Sequence, residues 1–267
     1  VYHWSDVHLL DENDVAYGVK HVDNKIRTSC MPYLYDIAVG NISGHEPVRR
    51  FGYNPDVSTN WETTCGLSTL QPYLTSAERL QVASDDAADD GDPPGTGAHT
   101  VLVSGLDENY DRISETVTLN GTTNVTTDAS FLRVLCMTVV AAGSTGSNEG
   151  TITVSNNAND TVLAQIEIGE NNALCASYTV PNGYTLYVVQ IMAAEGSTKG
   201  SQLALWKRAY GGLWTIVRRN VLLDDSIVLT MPMPVVVTAK TDIEMRVRGI
   251  LAGAMVAGGF EGWIEAT

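Results

Sequence analysis

From residue 97 onward, apolar and polar residues alternate in short runs rich in Val, Ile and Thr. Alternation with a period of two sends successive side chains to opposite faces, which marks a half-buried strand rather than a helix. The pattern predicts strands at residues 100–103, 113–119, 131–140, 151–155, 162–168, 174–180 and 185–193, and again at 202–207, 214–218, 226–231, 235–238, 243–247 and 258–265. Clusters of Gly, Asn, Ser and Pro separate them, as at 143–148, 156–160, 181–183 and 211–212. Short strands recurring every ~8–12 residues, with no ordinary helix between them, predict an all-β fold, an antiparallel β-sandwich. A jelly-roll-like arrangement fits better than an immunoglobulin-like one, because the strands outnumber seven and no Trp falls between Cys136 and Cys175.

Two hairpins are expected within this series. Asn120-Gly121 sits between the runs 113–119 and 122–126, and both residues tolerate the positive φ of a type I′ turn. The second runs from 203–206 through Gly211-Gly212 to 214–217. Its aromatic residues would fill the sandwich core or a subunit interface.

Residues 1–60 break the pattern. Apolar islands alternate with turn formers, and Gly40, Gly44, Pro47, Gly52 and Pro55 each mark a turn or a close backbone approach. Too few apolar residues share one period to build a core, so residues 1–60 read as an irregular N-terminal arm and 61–267 as the sandwich body. Residues 75–80 fit either a short strand or a helical turn, since Ser76 followed by Arg79 makes a poor capping box.

Composition narrows the partners. With 267 residues the chain can bury a substantial core, and with three Phe that core must rest on Val, Ile, Leu, Ala and Trp. The formal net charge of −15 repels phosphate backbones and anionic lipid, so neither nucleic acid nor a membrane is an expected partner. No apolar run reaches the roughly 18 residues of a spanning helix, and the first residues lack the basic start of a signal peptide. The four cysteines have no zinc-ligand spacing, and Cys136 and Cys175 lie in apolar runs that suit free buried thiols.

Candidate chemistry is sparse. Asp85, Asp86, Asp89, Asp90 and Asp92 crowd one Gly- and Pro-rich stretch and offer oxygen ligands for calcium. They lack the spacing of an EF-hand, so a solvated acidic loop is the plainer expectation. Of the five histidines, His3, His8, His21 and His45 fall in the arm, and His99 beside the acidic loop reads as a pH-sensitive surface group. No nucleophile elbow, Walker loop or zinc-protease motif occurs, and the acids cluster in loops rather than in apolar strands. The expectation is a protein that is not an enzyme and carries no cofactor. Tyr187, Trp206, Tyr210 and Trp214 could present a platform for sugar rings, with packing inside the fold as the plainer alternative.

Several blocks carry a resemblance. Residues 35–45 (YDIAVGNISGH), 51–57 (FGYNPDV) and 61–63 (WET) are followed by the acidic Gly-rich stretch 85–97, then 99–123 (HTVLVSGLDENYDRISETVTLNGTT), then 178–189 (YTVPNGYTLYVV). In this order they resemble a family of virion structural proteins encoded by tailed bacteriophages, especially those of marine and freshwater bacteria. The resemblance implies a virion component that assembles as a homotrimer and docks on the major capsid protein or on neck or tail proteins. The arm, with Tyr35, Gly40, Gly44, Phe51, Asn54 and Pro55, would be the anchor. A capsid decoration or cement protein is the first expectation. The alternative is a neck or tail fibre, or an adhesin for host surface glycan.

Overall fold

The computed structural model describes residues 33–267 in full and, before them, the backbone of four short strands. The chain divides into two compact units, Val1–Ser43 and Gly44–Thr267. In the first unit, β1 (His8–Leu10) pairs antiparallel with β2 (Ala16–Gly18), and β3 (Lys20–Val22) with β4 (Lys25–Arg27). Helix α1 (Tyr33–Ala38) follows and closes at Gly40, whose φ of +76° is the left-handed conformation glycine adopts without steric cost. Asn41 then bonds back to Asp36 through both backbone and side chain. His3 and Cys30, and the side chains of His8 and His21, lie outside the described residues.

The second unit holds two β-sandwiches, one threaded into the other. In chain order come β5 (His45–Val57), β6 (Glu62–Thr63), β7 (Glu78–Ser84), β8 (Ala98–Leu106), β9 (Arg112–Thr118), β10 (Val125–Phe131), β11 (Arg133–Ala142), β12 (Ile152–Ser155) and β13 (Val162–Ile166). Then follow β14 (Ser177–Thr179), β15 (Tyr184–Glu195), β16 (Ser201–Arg208), β17 (Thr215–Leu222), β18 (Ser226–Val237), β19 (Asp242–Gly249) and β20 (Ala254–Ala266). One sheet is ordered β18-β15-β20-β5 and faces another ordered β14-β19-β16-β17, with β6 paired to β19. Numbering β5 and β14–β20 from one to eight gives sheets 1-8-3-6 and 2-7-4-5. That is the double Greek key of a jelly roll. Between its first and second strands the chain makes a second sandwich, β10-β7-β12-β13 packed on β11-β8-β9.

Each sandwich has its own core. Leu186, Ile191, Leu203, Met245 and Phe260 fill the jelly roll, whereas Leu80, Val103, Phe131, Met137 and Ile152 fill the inserted sandwich. The alternation explains both, because every second residue of a strand points inward.

Three expectations change. The arm does not run to residue 60: β5 pairs with β20 along its length, from His45↔Glu265 to Val57↔Ala254, so the boundary falls at Ser43 and Gly44. A 13-residue strand with polar residues facing water shows no apolar stripe strong enough to betray it. Asn120-Gly121 does not close a hairpin either. β9 pairs with β8 and β10 with β7, and the backbone of the turn bonds to Ser84 and Asp89, so the chain crosses from one sheet to the other. Of the strand and the helical turn that residues 75–80 allowed, the strand is what forms, as β7. The prolines Pro232 and Pro234 do not split β18, because it is an edge strand and a register shift opposite Val188 and Gln190 absorbs them.

Gly52 shows why β5 carries glycine: a Cβ there would lie 1.7 Å from the Thr64 carbonyl oxygen. Replacing either fully buried phenylalanine, Phe131 or Phe260, by Ala is expected to lower the unfolding free energy by about 3–5 kcal/mol in a urea titration.

Candidate functional site

Strand β19 alternates in a way that appears ordinary in sequence. Ile243, Met245 and Val247 point into apolar cores, and Asp242, Glu244, Arg246 and Arg248 share the opposite face. That charged face is covered nonetheless: Asp242 and Arg246 are buried and Glu244 is fully so. β6 and the chain after it, the insert strand β11 and the β16–β17 loop supply the covering groups.

Burying charge is tolerated only when each group is paired. Asp242 accepts from Arg133 Nε at 3.0 Å, from Arg208 Nη2 at 2.6 Å and from Thr179 Oγ1 at 2.7 Å. Because Arg133 stands on the inserted sandwich and Arg208 on the jelly roll, this carboxylate ties the two together. Glu244 accepts from Arg246 Nε at 2.9 Å and from the Thr63 hydroxyl, whose oxygen also accepts from Gln71 N at 2.7 Å. Burial holds the Glu244 carboxyl above its ordinary range, against the opposing pull of Arg246. Nearby, Cys65 and Cys175 stand opposite each other across an antiparallel bridge as free thiols. A hydrogen bond with Cys175, and burial, hold the Cys65 thiol well above its usual range.

Aromatic rings and cations alternate over this face. Arg219 and Arg248 lie over Trp61 at 5.3 and 4.9 Å, Trp61 meets Trp206 edge to face, and Arg246 sits 4.8 Å from Trp206 and 4.3 Å from Trp214. Arg208 is shared between Trp214 and Tyr73, and Arg133 between Tyr73 and Tyr110. The ladder ends where Tyr110 meets Tyr210 edge to face at 5.7 Å, with Lys240 Nζ within 5.8 Å of both rings. Desolvated cation–π contacts of this kind are each worth about 1–2 kcal/mol.

At this end the ladder opens into a cleft of about 670 Å³ between the two sandwiches, lined by Tyr73, Ser76, Glu108, Tyr110, Arg208, Tyr210 and Lys240 among others. Two lining residues are held in the left-handed backbone region, Tyr110 at φ +67° and Lys240 at φ +61°. For a bulky side chain this conformation costs roughly 1–2 kcal/mol, and such strain concentrates at functional sites.

No family model and no curated protein matches the chain. Among solved structures, those of infectious bursal disease virus have a faint likeness. The Gt strain structure is 10% identical, with 87% of this chain and 77% of that one covered at a TM-score of 0.20. The VP2 subviral particle is 12% identical, covering 84% and 68% at the same score, and the Gx strain 11% identical, covering 84% and 73% at 0.20. At that score the likeness carries no weight for fold or function, so the architecture rests on the strand pairing itself.

The aromatics expected to share a platform do not all meet. Trp206 and Trp214 belong to the ladder and Tyr210 to the cleft, but Tyr187 stacks on Trp263 at 5.2 Å, on strands of the other sheet. Trp206 and Trp214 also lie outside both sandwich cores, because Trp206 pairs with Glu244 across the strands and so shares the charged face. Of the arm residues, Tyr35 and Gly40 lie in the first unit, whereas Gly44, Phe51, Asn54 and Pro55 lie in the second, and Asn54 is buried against Glu62 at 3.0 Å. The acidic loop is organised by Asp89, which is buried and accepts from Ser84 Oγ and from the backbone of Ala98, Glu149 and Gly150. Asp86 and Asp90 cap local turns and Asp85 accepts from the distant Thr151 N, so the carboxylates do not converge, and no cluster that could hold a metal ion occurs among the described residues. Sequence reasoning missed Trp61, Tyr73, Tyr110, Lys240 and Asp242. The charge alternation of 242–248 was the available signal, but it reads as a wet face until its cover is known.

Two outcomes follow. Asp242→Asn leaves Arg133 and Arg208 short of their carboxylate and should cost about 3–5 kcal/mol in chemical denaturation, toward the lower value because Arg208 keeps some access to water. A carboxyl whose pKa is raised on folding contributes stability that is complete below its unfolded value and lost as pH rises through the folded one. Relative to Glu244→Gln, the wild type should therefore gain stability as pH falls from neutrality toward 4.5, the ordinary glutamate value, and thermal melts across that window measure the difference.

Proposed function

We propose that this protein is a non-enzymatic structural component of a virus particle, most simply a capsid decoration or cement protein. What supports this reading is the jelly roll, a fold used by viral capsid and lectin domains, joined to a separate N-terminal unit of 43 residues and to sequence blocks that resemble those of phage virion proteins. Fold alone does not carry function, so the blocks and the two-unit organisation matter more than the architecture. The first unit is the anchor in this reading. Its helix exposes Leu34 and Tyr35, apolar surface suited to docking on the major capsid protein or on neck or tail proteins.

The homotrimer belongs to the same proposal. Edge strands β17 and β18 expose Ile216, Val221, Val228 and Met233, and β18 carries no charge over 12 residues. An uncharged edge such as β18 associates unless covered, and a second copy is the partner expected there. The second reading, an adhesin for host surface glycan, is favoured by one observation, the strained aromatic cleft.

Mass spectrometry of purified particles, calibrated against the major capsid protein, tests the main reading. Hundreds of copies are expected for a decoration protein, a small ring-sized number would move it to the neck or tail, and absence would sink the virion assignment. A chain beginning at Gly44 should fold but fail to coat particles, because the anchor is missing.

A further inference from the structure

We infer that the cleft between the two sandwiches binds an acidic saccharide, a uronic or sialic acid unit whose ring lies on Tyr210 and whose carboxylate meets Lys240. This deepens the glycan-binding reading and rests on it, independently of where the protein sits on a particle. The cleft volume of about 670 Å³ falls within the roughly 300–1,000 Å³ of small-ligand sites, which suits a few sugar rings.

Ring recognition rests on Tyr210. It is 70% exposed yet held edge to face by Tyr110, so an aromatic face stands open in a fixed orientation. Charge recognition rests on Lys240. Arg133 and Arg208 are already committed to Asp242, whereas Lys240 makes no ion pair among the described residues and meets only the two tyrosine rings. In a chain of net charge −15, a cation left without a carboxylate beside an open ring is a place where an anion gains and the average surface repels it. Hydroxyls of the ligand would meet Ser76 and Glu108 on the lining.

The backbone gives a second, separate argument. Tyr110 lies in the loop joining β8 to β9, and Lys240 in the loop joining β18 to β19. At positive φ each loop would be more stable with glycine. Strain at both positions meets at one cleft, where the buried Tyr110 braces Tyr210 and Lys240 is the strained residue that reaches the ligand, and such strain concentrates at functional sites.

The test is ligand-observed NMR and calorimetry on the full chain, with sialyllactose and a galacturonic acid trisaccharide as acidic probes and lactose and maltotriose as neutral ones. Lys240→Gly is the decisive variant, because it relieves the backbone strain and so should keep or raise the melting temperature while removing the cation. We expect an acidic probe to bind, the neutral ones to bind far more weakly, and Lys240→Gly and Tyr210→Ala each to weaken binding about tenfold or more, as loss of one charge-assisted contact implies. Added salt should weaken the acidic probe further. Equal binding of neutral sugar that still depends on Tyr210 would overturn the acidic specificity and leave a glycan site. Binding indifferent to both variants, or none by any probe, would overturn the cleft itself.

Discussion

The buried charged face of β19 is the constraint around which this body is built. A strand that places two carboxylates and two guanidinium groups on one side would ordinarily turn that side to water. Here it is closed over by aromatic rings, and burial on that scale is sustainable only because every carboxylate has an arginine and every arginine has a ring. The arrangement stabilises less than an apolar interface of equal area would, but it fixes register. A one-residue slip of β19 would bring Ile243 and Met245 to the ion pairs and push Glu244 into the apolar core.

That register sets the relation between the two sandwiches. Arg133 of the insert and Arg208 of the jelly roll share Asp242, and elsewhere Arg50 of β5 bonds to the Leu135 carbonyl at 3.0 Å while Arg112 of β9 holds Glu46 through both carboxylate oxygens. The insert leaves and re-enters the jelly roll beside this contact, through residues 58–77 and 167–176, so the junction of the sandwiches and the cover of the charged face are one structure. The cleft forms at its open end. Its residues come from the segment before β7, from β11, the β8–β9 loop, the β16–β17 loop and the start of β19 with the turn before it, segments far apart in the chain that only the packing of two sandwiches assembles.

Much of the architecture is legible in the chain because period-two alternation is a local property. It marks nearly every strand from β8 onward, and the absence of helical periodicity excludes parallel crossovers. The hairpin through Gly211-Gly212 is legible for the same reason, since its strands pair directly with Trp206 opposite Ile216. Asn120-Gly121 shows the limit. Its chemistry permits a sharp turn, and Gly121 does adopt φ +54°, but whether the outgoing strand folds back on its predecessor or crosses to a facing sheet depends on which other strands are present to pair with.

By itself, the sequence determined the strand content, the antiparallel sheets, the acidic surface and the choice of turn positions, all of which follow from neighbouring residues. Only the tertiary structure decided that the strands divide into a jelly roll and an inserted sandwich, that residues 45–57 belong to the body, and that the polar face of β19 is dry. The physical reason is the same in each case. Alternation tells which residues share a face of a strand, but whether that face meets water, a core or another domain is set by elements far away in the chain.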